Sequence, residues 1–368
     1  MKKILFVLPT FPSYRIEFFN LLKKKLLKKK FKMNVYAGQN QTSKKINFSK
    51  KKPKYVKIFK TKSYNIFGYT LNFQENLIKS INFYNPETVI ILFNIGNINF
   101  VLLFIYYKFL GKEVILWTSG YQRLDLSKNK LKFKNYLTNF LLFKSEKLIT
   151  YGSFYKNLLI KKGYNKNKII SSNNTINTER NIKNYKTKAF DSNKEFLYVG
   201  AINKLKNLDI LIKSLKFLKN KHRFHLTIVG GGDYVNNLIN LSKIENVNNL
   251  VSFLGIKVGK DLNEIFKKSD IFILPGIGGL AVNEAMSHGL PIISTKGDGT
   301  IIDLVDVKNG ILIDHNIEPK ALSKIIDKFI SMPNEELVKM SLESINKIKK
   351  KGTLKNMVRR FEKIILRR

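Results

Sequence analysis

The chain has 368 residues, enough for two ordinary hydrophobic cores, and its 44% hydrophobic and 12% aromatic content excludes a disordered protein. It has no cysteine, which excludes a disulfide scaffold and a thiolate metal site, and His222, His225, His288 and His315 show no ligand-like spacing. A formal charge of +41, from 67 basic and 26 acidic residues, implies attraction to polyanions, although a Lys- and Asn-rich composition also produces such a charge by drift at surface positions.

The opening "MKKILFVL" reads as a first strand, because its apolar part, Ile4 to Leu8, is too short for a signal peptide. Residues 16–30 then have helical period: Phe19, Leu22 and Leu26 line one face and six lysines cover the rest. Helices that lie on anionic lipid have this pattern, and so does a lysine-coated helix packed on a core. The runs "MNVYA", "YVKIF", "TVIILF", "EVILW" and "KLIT" follow as short strands, with helical segments such as "GYTLNFQENLIKSINF" between them. The longest apolar region, Val89 to Leu110, is interrupted by Asn94, Gly96, Asn97 and Asn99 and reads as strand, turn and buried helix, not as a membrane span. Over residues 171–193 apolar periodicity fades into Asn, Ser and Thr, the mark of a boundary.

The alternation then restarts with "EFLYVG", "FHLTIVG", "LVSFLG", "DIFILPG" and "PIIST", four of which end on glycine. Glycine-ended strands suit an open α/β sheet whose carboxyl-end loops let a ligand approach the backbone closely. The fold class expected is therefore α/β, with two doubly wound domains, at 1–180 and 190–350, and a closing helical segment at 351–368.

The stretch "LPGIGGLAVNEAMSHGLPII", residues 274–293, reads as strand, side-chain-free loop and short helix. The N–H groups of Gly278, Gly279 and Leu280 would open that helix, where unpaired donors and the dipole favour a diphosphate. Glu284, one turn in, could accept hydrogen bonds from two vicinal hydroxyls of an attached ribose. Lys206 lies just beyond the strand that ends at Gly200, placed to neutralise a phosphate leaving group, and Gly230 ends another strand of the set. Taken alone, the stretch is equally a glycine-rich turn with an exposed Glu.

Strand-Gly-x5-Lys-Asn, "VGGGD", "FLG" and the "LPGIGGLAVNEAMSHGLPII" stretch, in this order, resemble the retaining glycosyltransferases of family 4, which have the GT-B fold. "KGDGTIIDLVDVKNGIL" continues the likeness, and "PTFPSYRIEFFNLL", "VILWTSG", "YGSFYKNLLIKKGY" and "SNNT" look like its polysaccharide-assembly members. The resemblance implies two Rossmann-like domains facing across a cleft. The second would hold a nucleoside diphosphate sugar, the first a glycan acceptor, and the last helix would return to the first domain. It also implies retention at the anomeric carbon without a metal or resident cofactor, Lys206 and Glu284 being the catalytic residues, with Gly200, Gly230, Gly278, Gly279 and Leu280 at the donor.

Three positions depart from the family pattern. Gly276 stands where a first acid is usual, Ala201 where Arg is frequent, and Ser119 where many members have His. Lys204 or Arg15 would supply the missing cation, which puts Arg15 and Ser119 on the acceptor side. The expected function is a cytoplasmic glycosyltransferase of cell-surface polysaccharide assembly, acting on a lipid-linked acceptor and peripheral on the inner face of the plasma membrane. The alternative is a catalytically inactive or regulatory GT-B protein. A nucleic-acid partner has only the charge in its favour and no recognisable binding module.

Overall fold

A computed structural model describes residues 1–39, 52–66, 69–120, 128–297 and 299–367. Gly68 and Asp298, which belong to two of the quoted stretches, lie outside these residues. In chain order the elements are β1 (Lys2–Leu8), α1 (Ile16–Lys28), β2 (Phe31–Gly38), β3 (Val56–Phe59), β4 (Thr61–Ile66), β5 (Tyr69–Gln74), α2 (Leu77–Tyr84), β6 (Thr88–Leu92), α3 (Ile98–Phe109), β7 (Glu113–Thr118), α4 (Lys128–Phe143), β8 (Lys147–Thr150), α5 (Ser153–Lys161) and β9 (Ile169–Ser171). They continue with α6 (Glu179–Lys183), β10 (Lys194–Val199), α7 (Leu208–Leu215), β11 (Phe224–Val229), α8 (Val235–Ile244), β12 (Val251–Phe253), α9 (Gly259–Lys268), β13 (Ile271–Leu274), α10 (Leu280–Ser287), β14 (Ile292–Thr295), α11 (Ile301–Leu304), β15 (Gly310–Ile313), α12 (Pro319–Ile330), α13 (Asn334–Lys351) and α14 (Leu354–Leu366).

The chain divides into two compact units, Met1–Ser172 with Lys355–Arg368, and Asn173–Leu354. The sheet of the first has the order β3-β2-β1-β6-β7-β8-β9, and every pairing is parallel. Because β1 is followed outward on one side by β2 and on the other by β6, right-handed crossovers place their helices on opposite faces of the sheet. Alternate strand residues follow suit. Leu5, Val7, Val89, Ile91, Val114, Leu116 and Leu148 pack under α2 to α5, through residues such as Ile81, Phe104, Leu142 and Leu159. Phe6 and Trp117 point the other way and meet α1 and α14: Phe6 lies 5.1 Å from Phe19, and Trp117 is edge-on to Phe361 at 4.9 Å.

That packing decides between the two readings of the lysine-coated helix. Phe18, Phe19, Leu22 and Leu26 are buried, so the apolar face of α1 belongs to the core, and Lys24, Lys25, Lys28 and Lys29 face solvent. α14 completes the same layer, with Met357, Val358, Phe361 and Ile364 buried, a Lys25–Glu362 ion pair at 3.1 Å, and Arg360 donating to the Ser171 carbonyl at 3.2 Å. Between β3 and α2, β4 and β5 form a separate antiparallel ribbon.

The second unit has a six-stranded parallel sheet, β12-β11-β10-β13-β14-β15. Strand order reverses between β10 and β13, which are paired through Phe196–Ile271 and Leu197–Phe272. Ligands of open α/β sheets bind in the crevice beyond such a switch point, at the carboxyl ends of the strands. Among the described residues no helix is long and apolar enough to cross a membrane.

Candidate functional site

The loops that leave β10 and β13 meet because the two strands are neighbours, and their contact is made by backbone. The Ile277 amide donates to the Leu205 carbonyl at 3.1 Å, and the Lys206 ammonium donates to the Ile277 carbonyl. Lys206 is thus held against the "GIGGL" loop although it lies 71 residues away in sequence. Asn207, in the left-handed conformation at φ 51°, points its amide at the Pro275 carbonyl (3.4 Å) and the His315 carbonyl (2.8 Å), which fixes the turn that presents Lys206. Lys204 is exposed in the same turn.

Gly276 has a steric reason for carrying no carboxylate. A Cβ built there would stand 2.4 Å from the Leu205 oxygen and 2.4 Å from Lys206 Cα. Backbone occupies the space that a side chain would need. On its other side the Gly276 carbonyl accepts a hydrogen bond from Thr295 Oγ1 at 2.7 Å, and Thr295 also accepts from the Gly297 amide at 3.3 Å.

Gly279 is the N-cap of α10 and Leu280 its first residue, and among the described residues no side chain caps this end. The first-turn N–H groups, unlike those of the helix interior, need an acceptor from elsewhere, and the dipole makes an anion the favoured one. Gly278 lies close to Leu274, 2.9 Å from where its Cβ would be. Glu284, a turn further on, is half-buried, and among the described residues its carboxylate has no hydrogen-bond or ion-pair partner. Burial pushes its pKa above the ordinary carboxylate value. Asn283 anchors the buried face of α10: its amide donates to Thr175 Oγ1 at 2.8 Å and to the Asn174 carbonyl at 3.4 Å.

Gly230, at φ 147°, would place a Cβ 1.8 Å from the Gly200 carbonyl oxygen, and its amide donates to Gly255 at 2.8 Å. The glycines ending β10 and β11 therefore pack main chain on main chain beside the switch point. Tyr198 donates to the Ala201 carbonyl at 2.8 Å, which holds the turn just after Gly200. Sequence reasoning missed Asn207, Thr295, His315 and Asn283. For two of these a signal existed: an Asn directly after Lys206 at a turn, and an Asn on the buried face of a short helix.

Lys206, Glu284, Gly200, Gly230, Gly278, Gly279 and Leu280 all belong to the second unit, and Arg15 and Ser119 to the first. Arg15 is 2% exposed at the start of α1, its guanidinium 4.5 Å from the Trp117 ring centre, with Nη2 donating to the Tyr151 hydroxyl at 3.3 Å. Nη1 is buried and has no hydrogen-bond partner among the described residues. Ser119 directly follows β7 and is half-buried, so both residues sit at the carboxyl end of their sheet, the end from which α/β folds present ligand-binding loops.

Residues 179–351 match the family Glycosyl transferases group 1. The match spans the second unit almost entirely. An uncharacterized glycosyltransferase of Haemophilus influenzae is 34% identical over 147 residues, 38% of this chain and 40% of that one. A putative colanic acid biosynthesis glycosyltransferase, WcaL of Escherichia coli, is 27% identical over 154 residues, 39% of this chain and 37% of that one. The chain thus matches about two fifths of the length of these curated relatives. The crystal structure of Anabaena HepE in complex with UDP superposes with a TM-score of 0.73 at 14% identity and covers 99% of both chains. The fold is GT-B, with two Rossmann-like units, as the sequence resemblance implied.

Proposed function

We propose that this chain is a retaining, metal-independent glycosyltransferase of family 4 that moves a sugar from a nucleoside diphosphate sugar to a glycan acceptor. The observation that carries the reading is the meeting, at one switch point, of the Lys206 ammonium, the uncapped start of α10 and the unpartnered carboxylate of Glu284. In this role the N–H groups of Gly279 and Leu280 receive the diphosphate. The Glu284 carboxylate accepts hydrogen bonds from the ribose hydroxyls, and Lys206 neutralises charge on the phosphate oxygens as the bond to the anomeric carbon breaks. The new bond forms between that carbon and an acceptor hydroxyl on the same face, and the departing diphosphate takes the hydroxyl proton. The chain then needs no resident cofactor.

HepE binds UDP, which supports a uridine diphosphate sugar as donor, and the name of WcaL supports a role in cell-surface polysaccharide assembly. Arg15 and Ser119 are assigned to the acceptor, which is lipid-linked in this reading, so the protein works in the cytoplasm, peripheral on the inner face of the plasma membrane. The test is thermal stabilisation by a panel of UDP- and GDP-sugars, followed by product formation. A ligand at one hundred times its Kd adds about 2.7 kcal/mol, and failure of every nucleotide sugar to stabilise the chain overturns the proposal. Gly276 favours a second reading, a catalytically inactive GT-B protein, because backbone fills the place of the family's other acid. Binding of a nucleotide sugar without transfer would select it.

A further inference from the structure

The first unit buries the Arg15 cation without an anion. Arg15 is 2% exposed, and among the described residues no carboxylate pairs with it. Glu17, two residues on, is exposed, and side chains at i and i+2 of a helix do not face each other. Three aromatic rings surround the guanidinium instead, with centres at 4.5 Å (Trp117), 5.3 Å (Tyr14) and 5.8 Å (Tyr151). Ring faces attract a cation, but they accept no strong hydrogen bond. The Tyr151 hydroxyl takes one N–H, from Nη2. Two donors are left over: Arg15 Nη1 and the indole Nε1 of Trp117 are both buried, with no hydrogen-bond partner among the described residues. A buried charge without a counter-charge and buried donors without an acceptor each cost stability.

What the two donors lack in common is an acceptor with negative charge. Arg15 stands between the loop that leaves β1 and the start of α1, Trp117 lies near the end of β7, and Tyr151 directly follows β8. The cluster therefore sits at the carboxyl end of the sheet, where α/β folds take ligands. Trp117 is fully buried, Tyr151 is half-buried and Tyr14 is 41% exposed, so the cluster meets solvent on the Tyr14 side. A guanidinium suits such a place, because it is more weakly hydrated than an ammonium and stays charged when buried. We propose that Arg15, with Trp117, binds an oxyanion, a carboxylate or a phosphate, carried by the glycan acceptor. This rests on the acceptor-side placement of Arg15 in the proposed function and names the acceptor's class, a glycan bearing an acidic sugar or a phosphate. Tyr14 and Tyr151 then wall the anion, and the cation–ring contacts hold the guanidinium in place until it arrives.

Trp117 is the one tryptophan of the chain and lies against Arg15, so its emission reports on this cluster. Full-length protein is titrated, at constant ionic strength, with methyl glucuronide and with glycerol 1-phosphate, and with methyl glucoside and glycerol as uncharged counterparts. Wild type should show a saturable change in Trp117 emission with at least one of the two anions and none with the neutral compounds. The anion that responds identifies the group the acceptor carries. Arg15→Met should weaken its binding by about tenfold or more, the loss expected for a hydrogen bond between charged groups, and Arg15→Lys should fall between the two. The same anion should raise the unfolding midpoint of wild type and not that of Arg15→Met. Lys206→Ala, in the second unit, should leave the response unchanged. Wild type that ignores both anions, neutral compounds that act as the anions do, or Arg15→Met that binds as well as wild type would each overturn the inference. So would a response to UDP alone that Arg15→Met removes, which would assign Arg15 to the donor. Stabilisation by UDP-sugars reports separately on the donor reading, and its failure would leave the anion response standing.

Discussion

At position 276 the alternatives to glycine are limited by the turn that carries Lys206, not by the ligand. Gly276→Glu should therefore lower stability by about 1–3 kcal/mol, the usual cost of overpacking, and bring no gain in transfer. Urea denaturation checks the first outcome and turnover the second; a stable, faster enzyme would refute the steric account. In the proposed mechanism Lys206 neutralises the departing diphosphate, so Lys206→Ala should lower kcat by about a hundredfold or more, with KM for donor changing less. A drop confined to KM would make Lys206 a binding residue only. Glu284→Ala should lower donor use by at least about a hundredfold, since the two ribose hydrogen bonds proposed for its carboxylate would contribute about 1.5–3 kcal/mol each. Because burial raises the Glu284 pKa, its acceptor form is partly lost on acidification. Donor affinity should rise with pH through that raised value and then level off, and Glu284→Gln should flatten the profile.

Among the elements, those of the glycine-rich region were legible because strand, side-chain-free loop and helix each have their own local signature, and β13, the 276–279 turn and α10 fall where those signatures lie. The parallel sheets were legible too, from short β-rich runs alternating with helical periods. Strand order was not: nothing local tells β1 to pair with both β2 and β6, a choice made by crossover handedness and packing. Nor does local pattern say whether the apolar stripe of α1 meets a core or a lipid. Phe361, more than 330 residues further on, shares that core with Phe6, Phe18 and Trp117. The β4–β5 ribbon corrects a reading: "GYTLNFQENLIKSINF" is expected to be helical throughout, yet Tyr69–Gln74 is a strand whose Tyr69, Leu71 and Phe73 alternate with polar residues, and its partner β4 is mostly exposed and carries no apolar pattern. The departure at Gly276 was visible as a residue type, but its cause, backbone packed on backbone, exists only in three dimensions; nothing in the structure explains the one at Ala201. α14 offers a direct measure of such long-range packing: Phe361→Ala should destabilise the chain by about 3–5 kcal/mol, and a loss under about 1 kcal/mol would mean that the segment merely rests on its unit.

For the whole molecule, +41 is a standing repulsion that the ion pairs only partly relieve, because 67 basic residues face 26 acidic ones. Acidification adds to it from the surface and from inside. His288 is stacked on Phe266 with ring centres 5.0 Å apart, and burial, reinforced by Lys188 and Lys267, depresses its pKa to about 4 from an ordinary value of 6.5. Between those values the unfolded chain binds a proton that the folded chain refuses, so stability rises with pH there: the His288 contribution is complete above about 6.5 and is lost as pH falls toward 4. A shift of this size corresponds to roughly 3 kcal/mol. Unfolding free energy should accordingly fall between pH 6.5 and 4, and His288→Gln, which cannot titrate, should shallow the slope by up to one proton. Salt separates the two causes. Raising ionic strength from about 0.01 M to about 0.15 M shortens the Debye length from about 30 Å to about 8 Å, which should raise stability at every pH by screening the surface lysines. It should leave the His288 step in place, because that step comes mainly from desolvation. If salt erased the step, it would belong to the net charge and not to the buried ring.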